Sequence, residues 1–377
     1  MRIALTIEQF DTSLGGEQVW VDGLARFLAK RNHDVHIVTF LDRSRDFPGK
    51  IHSLADPGSL RTRAVHIDGF LKTLNADVVH DSGIALKADL YQPACGSLLH
   101  SESRFIAASE MPLRVRAAIS PRAIWRRMQL RQMEGEQMRN ARKIVAASQL
   151  VADMMIRRYD VPRSAISIVH NGVDAILYDA SRYPDTREAD RAELNVGKDQ
   201  IVFLMVANNL LLKGADVSIK ALALLHRRGL TNARLIIAGG TPDRTTQRIV
   251  DKTNSEVTFL GHVSDVGKLM RACDVFLHPT RWDTCSLVTS EAMASGLPVI
   301  TSRMNGAAEL ISDGYDGLIC NDPEKVDVVA DSMLRLMDPA LRRTIGDNAR
   351  RSIGKFDIRA NCAQIERHLL ELAERHH

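Results

Sequence analysis

"RIALTIEQFDTSLGGEQVWVDGLARFLAKRNHDVHIVTF", Arg2 to Phe40, decides how the rest of the chain is read. Its opening "RIALTIE" is dominated by apolar and β-branched residues, which predicts a strand. In "EQVWVDGLARFLAKRNH", Trp20, Leu24, Phe27 and Leu28 recur at helical spacing and form one apolar stripe. That stripe predicts a helix lying on a sheet. "DVHIVTF" returns to the strand pattern, so the stretch is a βαβ unit, the building block of parallel sheets.

The alternation continues. "AVHID", "ADVVHDS", "KIVAAS" and "ISIVHNGVD" are further expected strands. After Asp174 the polar stretch "SRYPDTREADRAELNVGKDQ", with Pro184 and a crowd of charges, reads as a connection. A second series then follows: "IVFLMVANN", "ARLIIAGG", "EVTFLGHV", "DVFLHPT", "LPVITS" and "GLICN". The fold class is α/β with two domains, 1–172 and 198–356. At 377 residues the chain exceeds what one hydrophobic core usually serves. Residues 357–377 read as a last amphipathic helix with Ile365, Leu369, Leu370 and Leu372 on its apolar side, expected to pack back toward the first domain. His376 and His377 are given no role.

Composition narrows the class. The chain is 45% hydrophobic and 25% charged, which suits packed globular domains. No apolar run approaches the ~20 residues that cross a bilayer, and Glu8 and Asp11 interrupt the amino-terminal one, so neither a spanning segment nor a secretory leader is read. Cys95, Cys273, Cys285, Cys320 and Cys362 are dispersed and never in a C-x-x-C pair, which points away from a disulfide frame or a zinc site and toward a cytoplasmic protein. A net charge of +4 does not call for nucleic acid. From Arg104 to Lys143, however, ten Lys or Arg stand against three Glu, with Ile124, Trp125 and Met128 interleaved.

Several short motifs carry chemistry. Gly15-Gly16, between the first strand and helix, either lets the backbone approach an anion at a helix N-terminus or makes a tight turn with no ligand. Lys213-Gly214 precedes a helix; the lysine either reaches a diphosphate or is a solvated loop residue. Asn171-Gly172 reads as a turn and little else. In "RWDTCSLVTSEAMASGLPVI", Arg281 to Ile300, Asp283 lies in the loop at a strand's carboxyl end, where ligands bind in open α/β sheets. Ser286 is the expected N-cap, Gly296 the stop, and Glu291 sits about one and a half turns inside the helix. Amides of Thr284, Cys285, Ser286, Leu287 and Val288 would then lie between two carboxylates, an arrangement suited to a nucleotide sugar. The plainer reading is that Asp283 meets the helix dipole and Glu291 is merely exposed.

Together these residues resemble the retaining glycosyltransferases of family 4, and within them the lipopolysaccharide core glucosyltransferase I group. The resemblance rests on "GGEQVWVDGLARFLAKRNHDVHIVT", "ARKIVAASQLVADMMIRRYDVPRSAISIVHNGVD" and "HPTRWDTCSLVTSEAMASGLPVITSRMNGAAELISDGYDGLI". It implies a GT-B fold of two Rossmann-like domains with parallel sheets facing a central cleft, and transfer from a nucleotide donor, UDP-linked, to a glycolipid or saccharide acceptor. The family's E-x7-E pair falls on Asp283, toward the transferred sugar, and Glu291, toward the ribose. Lys213 faces the diphosphate, Gly15 and Gly16 serve the donor, and the family histidine falls on His100, with His80 as rival. Asp283, His100 and Lys213 are the implied catalytic set. No cofactor and no metal are expected.

This chain departs from the pattern in three places. The first acid is Asp, the arginine that usually precedes the lysine is missing, and Ser286 stands where glycine is usual. The resemblance also suggests that Arg122, Trp125, Arg126 and Arg127 lie against an anionic membrane at the inner face of the plasma membrane, set against a solvated helix face. Two competing functions are a nucleotide-sugar epimerase of the same fold and a non-catalytic binder of nucleotide or glycan.

Overall fold

In this computed structural model, which describes residues 1–44, 46–183 and 185–374, nine strands occupy the first 170 positions. They are β1 (Arg2–Thr6), β2 (Gln9–Phe10), β3 (Asp34–Thr39), β4 (Leu41–Asp42), β5 (Lys50–Ser53), β6 (Val78–Asp81), β7 (Leu90–Tyr91), β8 (Lys143–Ala146) and β9 (Ile166–Ile168). Six more follow: β10 (Ile201–Ala207), β11 (Ala233–Gly239), β12 (Val257–Gly261), β13 (Val275–His278), β14 (Val299–Ser302) and β15 (Leu318–Cys320). Pro184, His376 and His377 lie outside the described residues.

The first large sheet has the order β5-β3-β1-β6-β7-β8-β9 and the second β12-β11-β10-β13-β14-β15; β2 and β4 pair separately. The pairings within both large sheets are parallel. Each sheet starts near its middle, grows to one side, then crosses over and grows to the other. The reversal falls between β1 and β6 in one and between β10 and β13 in the other, and such reversals open a crevice at the strands' carboxyl ends.

Burial explains why the strands are continuous apolar runs rather than alternating ones. In the second sheet Phe203, Met205, Leu235, Ile237, Val275 and Leu277 pack with Ile219 and Leu222 of the helix Ala215–Arg227, all within 0% exposure. Two compact units result: residues 1–106 and 110–170 with the segment from Ile358, and residues 107–109 with 171–357. The helix Ile358–Glu374 belongs to the first unit, where Asn361 Oδ1 accepts from Trp20 Nε1 at 3.0 Å and Glu366 accepts from Arg31 Nε at 2.6 Å. Ile365, Leu369 and Leu372 are buried there, whereas Leu370 is exposed.

Some expectations are corrected. "AVHID" lies inside the helix Leu60–Leu74, capped by Ser59, with Ala64, Ile67 and Leu71 buried. Five residues mimic strand alternation, but the longer helical repeat and the cap prevail. The stretch after Asp174 is not a free connection: it carries the helices Ala175–Tyr178 and Arg187–Glu193 within the second unit. Two of its arginines are paired within that unit, since Arg187 Nη2 and Arg191 Nη1 bond Asp274 at 2.6 and 3.1 Å, just ahead of β13. The short strands β5 and β7 had no readable pattern. The basic segment is helical, Leu98–Ala108, Met111–Ile119 and Pro121–Asn140.

Candidate active site

The loops after β10 and β13 meet because those strands are paired neighbours at the point of reversal. Leu212 O accepts from Arg281 N at 2.8 Å and from Thr280 Oγ1 at 3.1 Å. Gly214 follows with φ +81°, and a Cβ there would stand 2.3 Å from Pro279 O. Both the left-handed backbone and the close approach require glycine, which is the physical content of the Lys-Gly pair.

Lys213 is thereby carried onto Asp283. Its Nζ donates to Asp283 Oδ2 at 2.5 Å and to Trp282 O at 3.3 Å, with side chains 21% and 15% exposed. His278, at the end of β13, brings Nε2 within 3.2 Å of the same oxygen. Burial raises the Asp283 pKa, but Lys213 and His278 outweigh it and hold the carboxyl well below the usual range. Burial likewise lowers that of His278, against the pull of Asp283. The Asp283 backbone is fixed as well: its N–H donates to Met304 O and its carbonyl accepts from Gly306 N, both at 2.9 Å. His278 was missed in the sequence because it sits in what reads as a buried strand.

The helix Leu287–Ala294 begins as expected, with Ser286 Oγ accepting from Thr289 N at 3.3 Å. One of the amides assigned to the donor is already taken: Ser286 N donates to Asn305 Oδ1 at 3.2 Å. Leu287 and Val288 stand in the first turn, whose N–H groups no intrahelical carbonyl accepts. Asn305 is buried and ties this corner together, accepting also from Ala307 N and donating to Thr289 and Thr301 hydroxyls at 3.1 and 3.0 Å. Asn171 does more than turn the chain, since its Nδ2 donates to Cys285 O at 2.7 Å. Thr284 and Cys285 are buried. Glu291 is half-buried; burial pushes its carboxyl up to about 7, against a hydrogen bond from Tyr178. The plainer reading, an exposed Glu291, is thus wrong.

The missing arginine has no substitute in Arg281, whose guanidinium turns inward to Asp216 and Glu324. Among the described residues, no group of three or more His, Cys, Asp or Glu is arranged to hold a metal ion.

The first unit has its own strand-end corner. Gly15 is the N-cap of the helix Gly16–Lys30, without a side-chain cap. Glu17, one residue on, is pushed up to about 7 by burial, opposed by a hydrogen bond from Ser82 and reinforced by Glu8 and Asp81. Asp81, at the end of β6, is pushed by burial up to about 6 although Thr6 and the Ile84 and Ala85 amides donate to it. Carboxyl groups at this helix start disfavour a phosphate, which counts against the anion reading of Gly15-Gly16. His80 is wholly buried, bonded to Gln92 at 3.1 Å, and burial pushes it down to about 4. His100 lies in the first turn of Leu98–Ala108, half-buried, pushed to about 4 by burial and by Arg158, Arg104 and Arg157. In the basic segment Trp125 is 60% exposed, Arg126 pairs with Glu102, Arg127 bonds Ala117 O at 2.5 Å, and Arg122 is exposed.

Residues 186–352 match the family described as "Glycosyl transferases group 1", and residues 14–176 match "Glycosyltransferase Family 4". Each half of the chain thus matches a glycosyltransferase family model. A relative of this chain is the lipopolysaccharide glucosyltransferase WaaG of Escherichia coli (strain K12), 28% identical over 59% of this chain and 60% of the relative. The D-inositol 3-phosphate glycosyltransferase of Mycolicibacterium smegmatis is 27% identical over 63% of this chain and 55% of the relative. The chain thus spans at most three fifths of the length of these two curated relatives. The crystal structure of WaaG superposes with a TM-score of 0.82 at 22% identity, covering 97% of this chain and 99% of that one, which gives this chain the GT-B fold. Anabaena HepE, solved in complex with UDP and glucose, matches with a TM-score of 0.75 at 20% identity over 97% of this chain and 98% of that one.

Proposed function

We propose that this chain is a retaining hexosyltransferase that moves a sugar from a UDP-sugar to a glycolipid or saccharide acceptor in cell-envelope glycan synthesis. The observation that carries the reading is the Lys213–Asp283 pair at the reversal between β10 and β13, beside the start of the helix that bears Glu291. A diphosphate would exchange Asp283 for its own oxygens at Lys213 and take the N–H groups of Leu287 and Val288. Charge that develops on the leaving group is then met by groups already in place. Glu291 would accept from ribose hydroxyls in exchange for Tyr178, and Asp283, still beside His278, from hydroxyls of the transferred sugar. His100, neutral at pH 7, is the first unit's candidate for a sugar contact. The UDP complexes of HepE and the name of WaaG support the donor and acceptor classes by analogy.

The test is donor binding and transfer with Glu291→Ala and Lys213→Ala. Both are expected to weaken UDP binding and suppress transfer from a panel of UDP-sugars; unchanged binding and turnover in both would defeat the assignment. Incubation with UDP-sugar alone separates the epimerase, which would release an epimer, and UDP stabilisation without turnover would mark a mere binder. Among the described residues no helix is long and apolar enough to cross a membrane. Exposed Trp125, Met111, Ile119 and Met128 among the arginines support the reading of a surface that rests on an anionic membrane. Co-sedimentation with anionic vesicles should weaken with salt and with loss of Arg126 and Arg127.

A further inference from the structure

The donor site leaves one buried charge without a task. Arg281 is 3% exposed at its side chain, and three separate pieces of the second unit converge on it. Nη1 donates to Leu211 O at 2.5 Å, on the loop that carries Lys213. Nη1 and Nη2 meet the two oxygens of Asp216, at the start of the next helix, at 2.7 and 3.0 Å. Nε and Nη2 meet the two oxygens of Glu324, after β15, at 2.8 and 2.9 Å. Its own backbone N–H holds Leu212 O. A planar guanidinium can fork onto two carboxylates at once, whereas an ammonium cannot. Burying such a charge returns little net stability even when paired, so its fitness lies in the geometry it imposes.

That geometry concerns the donor site. Leu211 and Leu212 immediately precede Lys213, and Asp283 is two residues beyond Arg281. The same side chain therefore fixes the loop of the cation against the loop of its partner carboxylate. We propose that Arg281 is a positioning residue that sets the register of Lys213 on Asp283, and so presents the ammonium to the donor diphosphate. It touches no substrate, and the second half of the inference rests on the donor-site reading above. Misplacement by about 1 Å at such a site is enough to cost up to ~100-fold.

Two readouts test it, one free of nucleotide. Labelling by acetic anhydride, followed by mass spectrometry, should rise several-fold at Lys213 in Arg281→Lys, while Lys268, paired far along the chain with Glu193, is unchanged. UDP titration should weaken about tenfold, and adding Arg281→Lys to Lys213→Ala should cost less than about twofold more, because the effect passes through Lys213. Glu324→Gln removes the half-exposed arm of the clamp, preserves folding, and should move both readouts the same way by less. Unchanged Lys213 labelling with unchanged affinity overturns the proposal, as do additive double variants or equal gains at Lys268. If Lys213 labelling rises but the parent protein takes no UDP, the positioning stands and the donor reading falls.

Discussion

Both large sheets reverse their strand order beside their first strand, yet the two strand ends have opposite electrostatics. At β10 and β13 a lysine and a histidine hold Asp283 below its ordinary pKa. At β1 and β6 burial lifts Glu17 to about 7 and Asp81 to about 6, with no lysine or arginine among the causes of either shift. Topology thus decides where a crevice opens, and a few side chains decide which charge it welcomes. The second unit's end pairs its carboxylate with a cation; the first unit's gathers carboxyl groups whose charge burial disfavours.

The sharpest way to break this contrast is to remove the cation. Lys213→Ala should lower transfer by about 100-fold, read as kcat with a UDP-sugar, whereas a loss confined to KM would show that the lysine binds the donor without serving the reaction. Next comes the scaffold: Asn305→Ala leaves the Ser286 and Ala307 amides and two hydroxyls without their partner, at a cost of about 3 kcal/mol by thermal or urea unfolding.

A pH series sharpens the comparison. Glu17 has a folded pKa above its ordinary 4.5, so the stability it contributes is full below about 4.5 and is lost as pH rises through about 7. Asp283 has the reverse sign, contributing above about 3.8 and losing that contribution as pH falls through its depressed folded value. Glu17→Gln should therefore flatten the fall in unfolding free energy between pH 5 and 8 by on the order of 2 kcal/mol, leaving the acid limb intact. An unchanged slope would mean that Glu17 is as solvated as in the unfolded chain. The smallest effect is Ser286→Ala, about 1 kcal/mol from the lost cap, with no counterpart at Gly15, which has no side chain to lose.

Much of the second unit was legible in advance because its signals are local. Its six strands are apolar runs, Ser286 precedes its helix, and Gly296 ends it with φ +78°. The first unit was harder to read. Helix capping and a long repeat overrode the strand-like "AVHID", and β7 has only two residues. His278, Asn305 and the Cys285 contact of Asn171 were invisible because their partners are distant or their residue types are ordinary.

The amino-acid sequence by itself determined the α/β alternation and the helix boundaries around Glu291, since each depends on periodicity or capping within a few residues. Only the tertiary structure decided that Lys213 rests on Asp283, that Arg281 serves the scaffold and not the diphosphate, and that Glu17 and Asp283 titrate in opposite directions. Charge pairing and desolvation depend on which groups the fold brings within a few ångströms, and no spacing along the chain encodes that.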